Sequence, residues 1–207
     1  METLEDIEKE IRSCKRCELH KTKKNYVPGS GNPKAKIVFV GEAPGREEDL
    51  KGEPFVGAAG KFLNDVLSKV GIKREDVFIC NVLKCRPPNN RDPSPEEVAV
   101  CGNYLIRQLE VIKPDMIVCL GRISANYLFD HFKLAFTKIS SVQGKVFEVD
   151  SWNKKIKIVP VYHPAAVLYK PNLKDEYEKT FQKLFSQKRG QQTLLDYGFI
   201  KFENNQN

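Results

Sequence analysis

KIVFVGEAPG, residues 36–45, runs from a short apolar, β-branched stretch straight into a Gly/Pro-rich turn. That is how a buried strand ends at a loop. Three further runs share its character: VFICNVL at 77–83, DMIVCLG at 115–121 and KIVPVYHP at 157–164. Helical patterns separate most of them, such as AGKFLNDVLSKVG at 59–71 and SPEEVAVCGNYLIRQLEVI at 94–112. Strand alternating with helix implies a parallel sheet covered on both faces. The expected fold is therefore α/β, one domain of three αβα layers around a central four-stranded parallel sheet. KVFEV at 145–149 reads as an extra edge strand or half of a hairpin.

Ligands gather at the carboxyl ends of the strands of such a sheet. Three polar clusters fall there: GEAPG after the first run, Asn81 after the second and HPAA, starting at His163, after the fourth. Gly121 and Arg122 open a helix at the remaining strand end.

Upstream, Leu4, Ile7 and Ile11 recur at helical spacing, with Thr3 and Asp6 placed as a capping pair. This helix leads into Cys14 and Cys17, spaced C-x-x-C. Cys85 and Cys101 answer them, bracketing KCRPPNNRDPSPEEVAVC. Pro87, Pro88, Pro93 and Pro95 keep the segment after Cys85 out of an α-helix until Ser94, an N-cap with Pro95 at N1 and Glu97 closing a capping box. Cys101 then lies about two turns into that helix. Cys80 and Cys119 sit inside apolar runs and read as small buried hydrophobes. Four cysteines are thus candidate ligands, and spacing alone suits structural zinc or an iron–sulfur cluster, leaning to zinc. With neither a signal peptide nor an apolar run long enough to cross a bilayer, an intracellular chain is expected, which argues against disulfides.

At 207 residues the chain has room for one well-buried core, and the working division is a domain over 1–187 with a tail over 188–207. A net charge of +7 suits a polyanionic partner, although the basic residues are spread out rather than blocked.

GEAPG, GEPFVGAAGKFL, NVLKCRPPNNRDP and VYHPAAVLY, in this order and in register with the four cysteines, resemble the family-four uracil-DNA glycosylases, the thermostable iron–sulfur group. The resemblance covers roughly residues 10–185. It implies a uracil-DNA glycosylase-like fold and a monofunctional base-excision-repair enzyme, since none of the residues matched to the uracil pocket is a lysine that could form a Schiff base. It further implies that Gly41, Glu42, Ala43 and Gly45 line the uracil pocket, that Phe55 stacks on the extruded base, and that Asn81 reads its edge. His163 would stand near uracil O2. The catalytic set is then His163, Glu42 and Asn81. Cys14, Cys17, Cys85 and Cys101 match the ligands of one structural [4Fe–4S] cluster. Two positions depart from the wider superfamily: Ala43 stands where better-known members carry an aspartate, and Gly45 where relatives use a bulky residue against the thymine methyl group.

For DNA, Lys84, Arg86 and Arg91 flank the Cys85 loop as expected phosphate contacts. Val167 and Leu168 are the candidate wedge, with Lys170 beside them. In the tail, QQTLLDYG resembles the peptide that docks on PCNA-type sliding clamps, through Gln191, Leu194, Tyr197 and, one place late, Phe199. A monomer acting in the cytoplasm, where the DNA is, completes the expectation. The competing readings are a non-enzymatic nucleic-acid-binding module organised by the metal or cluster, and a glycosylase for other deaminated bases.

Overall fold

The computed structural model describes residues 2–185. Helix α1 (Leu4–Arg12) starts at the Thr3/Asp6 capping box and buries Ile7 and Ile11. A short turn of helix, α2 (Leu19–Thr22), follows the first cysteine pair. The sheet is built from β1 (Ser30–Gly31), β2 (Ile37–Gly41), β3 (Phe78–Asn81), β4 (Met116–Leu120), β5 (Phe147–Ser151) and β6 (Lys154–Val161). Their spatial order is β1-β3-β2-β4-β6-β5.

The inner four strands, β3, β2, β4 and β6, are mutually parallel, as the apolar runs imply. Every residue of β2, β3 and β4 is buried. That burial is why these runs lack polar alternation. Two antiparallel edge strands extend the expected four to six. β1 pairs with β3 over only two residues, too few to leave a periodic signal. β5 is the hairpin partner of β6, joined through Trp152 and Asn153, both at positive φ, the backbone that a tight two-residue hairpin turn requires.

Alternate strand residues feed two cores. Val38, Val40, Cys80 and Cys119 face one layer, which holds α1, α5 (Pro95–Ile112) and α6 (Arg122–His131). Phe39, Ile79, Val118 and Val161 face the other, with α4 (Ala58–Lys69) and α9 (Lys174–Phe185). The remaining helices are short: α3 (Arg46–Lys51), α7 (Ile139–Val142) and α8 (Pro164–Leu168). No helix among the described residues is long and apolar enough to cross a membrane.

β2 is flanked on one side by β3, which follows it in the chain, and on the other by β4, so the order in which strands are added reverses there while their direction stays the same. This is where a doubly wound sheet opens a crevice at its carboxyl edge.

Candidate active site

Sheet register brings the first two site residues together. Gly41 and Asn81 are paired partners at the ends of β2 and β3. Only glycine fits at position 41, because a Cβ there would lie 2.3 Å from Asn81 Oδ1 and 2.7 Å from the Phe55 ring. The three residues therefore form one wall. Asn81 is 2% exposed, and its Oδ1 is buried without a hydrogen-bond partner. A buried acceptor left open costs about 1–3 kcal/mol, which a donor on a ligand would recover.

Phe55 is buried and adopts φ 53°, a conformation that non-glycine residues rarely take. Two contacts hold it there. Its carbonyl oxygen lies 1.8 Å from where a Cβ on Gly60 would stand, so α4 packs on it only through a glycine. The Glu48 carboxylate accepts from the N–H groups of Val56 at 2.9 Å and Gly57 at 2.8 Å, tying α3 to the segment after Phe55. The other Glu48 oxygen stands 2.7 Å from where a Gly45 side chain would begin. Nothing local in the sequence marks Glu48 for this role, since an acidic residue in a first helical turn reads as a dipole partner.

His163 caps α8 and faces Phe55, with ring centroids 5.8 Å apart. Its Nδ1 accepts from the Ala165 N–H at 3.2 Å, so the proton of the neutral ring sits on Nε2. Burial pushes its pKa down to about 4, against a weaker upward pull from Glu48. At neutral pH the ring is an uncharged donor.

Glu42 is partly buried at the rim, beyond the Gly41 carbonyl that accepts from Val82 N–H. Burial raises its pKa, Asp92 raises it further and Arg122 lowers it. Arg122 and Asp92 themselves pair at 2.6 Å, so the β4 end and the cysteine loop meet beside Glu42. Ala43 packs against the core.

Cys14, Cys17, Cys85 and Cys101 line a single cavity together with Tyr26 and Tyr104. Burial raises the pKa of Cys85 well above the usual thiol range, and charge on Cys101, Cys17 or Cys14 would raise it more. The Lys84 N–H donates to Cys101 Sγ at 3.2 Å. Among the described residues, no group of three or more His, Cys, Asp or Glu side chains converges on a single ion. Cys80 and Cys119 are buried fillers, as read from the sequence.

Two expected DNA contacts need correction. Lys84 is 1% exposed and held inside by carbonyl oxygens, so it cannot reach a phosphate. Val167 is buried in the core and cannot act as a wedge. Its neighbours Leu168 and Tyr169 are exposed instead, with Lys170 beside them. Arg86 donates to Asn90 Oδ1, and the exposed Arg91 pairs with Glu97. Gln191, Leu194, Tyr197 and Phe199 lie outside the described residues.

Residues 28–185 match the model of the uracil DNA glycosylase superfamily. The chain belongs to that superfamily. Within it, the chain is 64% identical over 198 residues to the type-4 uracil-DNA glycosylase of Archaeoglobus fulgidus, covering 95% of this chain and all of that one. The Saccharolobus solfataricus type-4 enzyme is 48% identical over 89% of this chain and 86% of its own. For the Thermotoga maritima type-4 enzyme the figures are 47%, 81% and 84%. The glycosylase match spans the strand ends described above.

Proposed function

We infer that the chain is a uracil-DNA glycosylase that turns uracil out of DNA and hydrolyses its N-glycosidic bond, leaving an abasic site. The observation that carries this is the orphaned Asn81 Oδ1, buried beside Phe55 and Gly41. Its amide can accept from uracil N3–H and donate to O4. Cytosine presents the reverse pattern at those positions and would leave buried polar groups unpaired. A flipped base also needs a stacking surface to offset unstacking, and the locked Phe55 ring supplies one.

As the glycosidic bond stretches, negative charge grows on uracil O2. A neutral His163 donating from Nε2 strengthens its bond as that charge develops, which is how a fixed donor favours the transition state. Glu42, with its raised pKa, is the group we assign to orienting water, since Ala43 has no side chain able to do so. Gly45 leaves the thymine methyl unopposed, and the Glu48 carboxylate beside it is the group we assign to that exclusion.

We place one structural [4Fe–4S] cluster on Cys14, Cys17, Cys85 and Cys101. Zinc would draw four sulfurs to about 2.3 Å from one point, whereas a cluster spreads its thiolates over separate irons. Four cysteines around one cavity, in register with the pocket motifs, support the second. When bound, the cluster supplies a rigid link between the N-terminal segment and the 85–101 loop. Arg86, Arg91 and Lys170 are our phosphate contacts, and Leu168 the wedge. The tail motif at Gln191, Leu194, Tyr197 and Phe199 supports docking on a PCNA-type clamp. We place the protein in the cytoplasm as a monomer.

Incubation with a single-stranded oligonucleotide bearing one uracil, followed by alkali, tests the reading. A break at the uracil is expected, greatly reduced in His163→Ala and Asn81→Ala. Cluster-loaded, folded protein that gives no break would favour a purely binding role.

A further inference from the structure

Lys84 is a buried lysine, and the ion pairs among the described residues include none to it. Its Nζ donates to the backbone oxygen of Asn81 at 2.8 Å and to Gln108 Oε1 at 2.7 Å. Its own N–H donates to Cys101 Sγ at 3.2 Å. Gln108 Nε2 in turn donates to the Pro28 carbonyl at 3.0 Å, which fixes the amide's orientation. Cys101 and Gln108 lie seven residues apart in α5, two turns along one helical face.

One residue is therefore gripped twice by the helix that carries a cysteine of the proposed cluster, and it grips the strand end that carries the base-reading amide. Burying a lysine is costly, and an apolar side chain of similar length would pack as well. What the lysine adds is donors at both ends of this link. The Asn81 carbonyl carbon is bonded directly to its Cα, so fixing that oxygen holds the backbone from which the side chain projects, while the close approach of Gly41 limits where Oδ1 can point.

We propose that Lys84 is a positioning residue for uracil recognition, through which α5 and the cysteine centre hold the Asn81 amide in register with the base. This rests on the assignment of Asn81 to uracil.

The test compares Lys84→Met, Asn81→Ala and the double variant with wild type, all as full-length, iron-loaded protein. The readouts are inhibition by free uracil, affinity for abasic DNA, and iron per chain. Lys84→Met should weaken uracil inhibition roughly tenfold, as expected for one misaligned buried hydrogen bond. Abasic-DNA affinity and iron content should stay at wild-type levels, and the substitution should add nothing in the Asn81→Ala background. Wild-type inhibition in Lys84→Met, or a loss that adds fully to that of Asn81→Ala, would overturn the proposal. Should Lys84→Met lose iron or fail to fold, Gln108→Leu removes an acceptor of the same Nζ. A smaller loss of uracil inhibition, again absent in the Asn81→Ala background, is expected there, and unchanged inhibition overturns the proposal. A wild-type protein that neither releases uracil nor is inhibited by it would instead defeat the glycosylase reading beneath it.

Discussion

His163 donates from a ring that stays uncharged, and this separates it from a histidine that shuttles protons. With its pKa near 4, the neutral form persists across the physiological range. His163→Ala should lose ~10²–10³ in single-turnover rate, and the wild-type-to-variant ratio should be flat over roughly pH 5–8. A ratio collapsing as pH rises through 6.5 would point to an imidazolium donor. The same shift has a stability consequence. The folded pKa lies below the ordinary 6.5, so the unfolded chain takes the proton first, and stability falls as pH drops from 6.5 towards about 4. Urea titrations should show His163→Gln losing less over that window than wild type. At this scale the pocket residues were legible because several independent motifs occur in register, and Gly41, Phe55, Asn81 and His163 do converge. Lys84 and Val167 were not. A lysine between a strand end and an arginine-containing loop looks like surface, and nothing local says that the chain folds it inward. Val167 and Leu168 differ by one position on a five-residue helix, and only its docking decides which one is buried.

Among the elements, α5 carries the most. Its start was readable to the residue: Ser94 caps, Pro95 sits at N1 and Glu97 closes the box. Glu97 also pairs with Arg91 through two hydrogen bonds, so the cap and the cysteine loop are one unit. Ser94→Ala should cost about 1 kcal/mol in thermal or urea unfolding. Glu48 has a comparable role between α3 and α4. Glu48→Ala leaves the Val56 and Gly57 N–H groups without their acceptor and loosens Phe55 from its positive φ. Weaker inhibition by free uracil is the expected result, and inhibition equal to wild type would show that Phe55 holds its place without the clamp. The inner strands were legible because burial on both faces leaves continuous apolar runs. β1 was not, since two residues carry no period, and the β5–β6 hairpin turns on Trp152–Asn153 rather than on a glycine dipeptide.

For the whole molecule, the sheet brings the pocket together, and the four cysteines bring the N-terminal segment and the 85–101 loop to one cavity, where the proposed cluster would tie them. Removing iron by oxidation and chelation should lower the melting temperature and open the chain around residues 13–25 to protease before the core unfolds. Simultaneous loss of the whole fold would mean that the cluster nucleates the core rather than stapling its edge. Deleting residues 188–207 should abolish binding to a PCNA-type clamp and leave activity on short oligonucleotides intact; loss of both would place the tail in the domain. The central claim is that this pocket hydrolyses the bond between uracil and deoxyribose. The most direct measurement is mass spectrometry of an oligonucleotide containing one uracil after incubation with iron-loaded protein. Free uracil and an intact strand bearing an abasic site are expected, while an unchanged strand, or one cut without alkali, would contradict it.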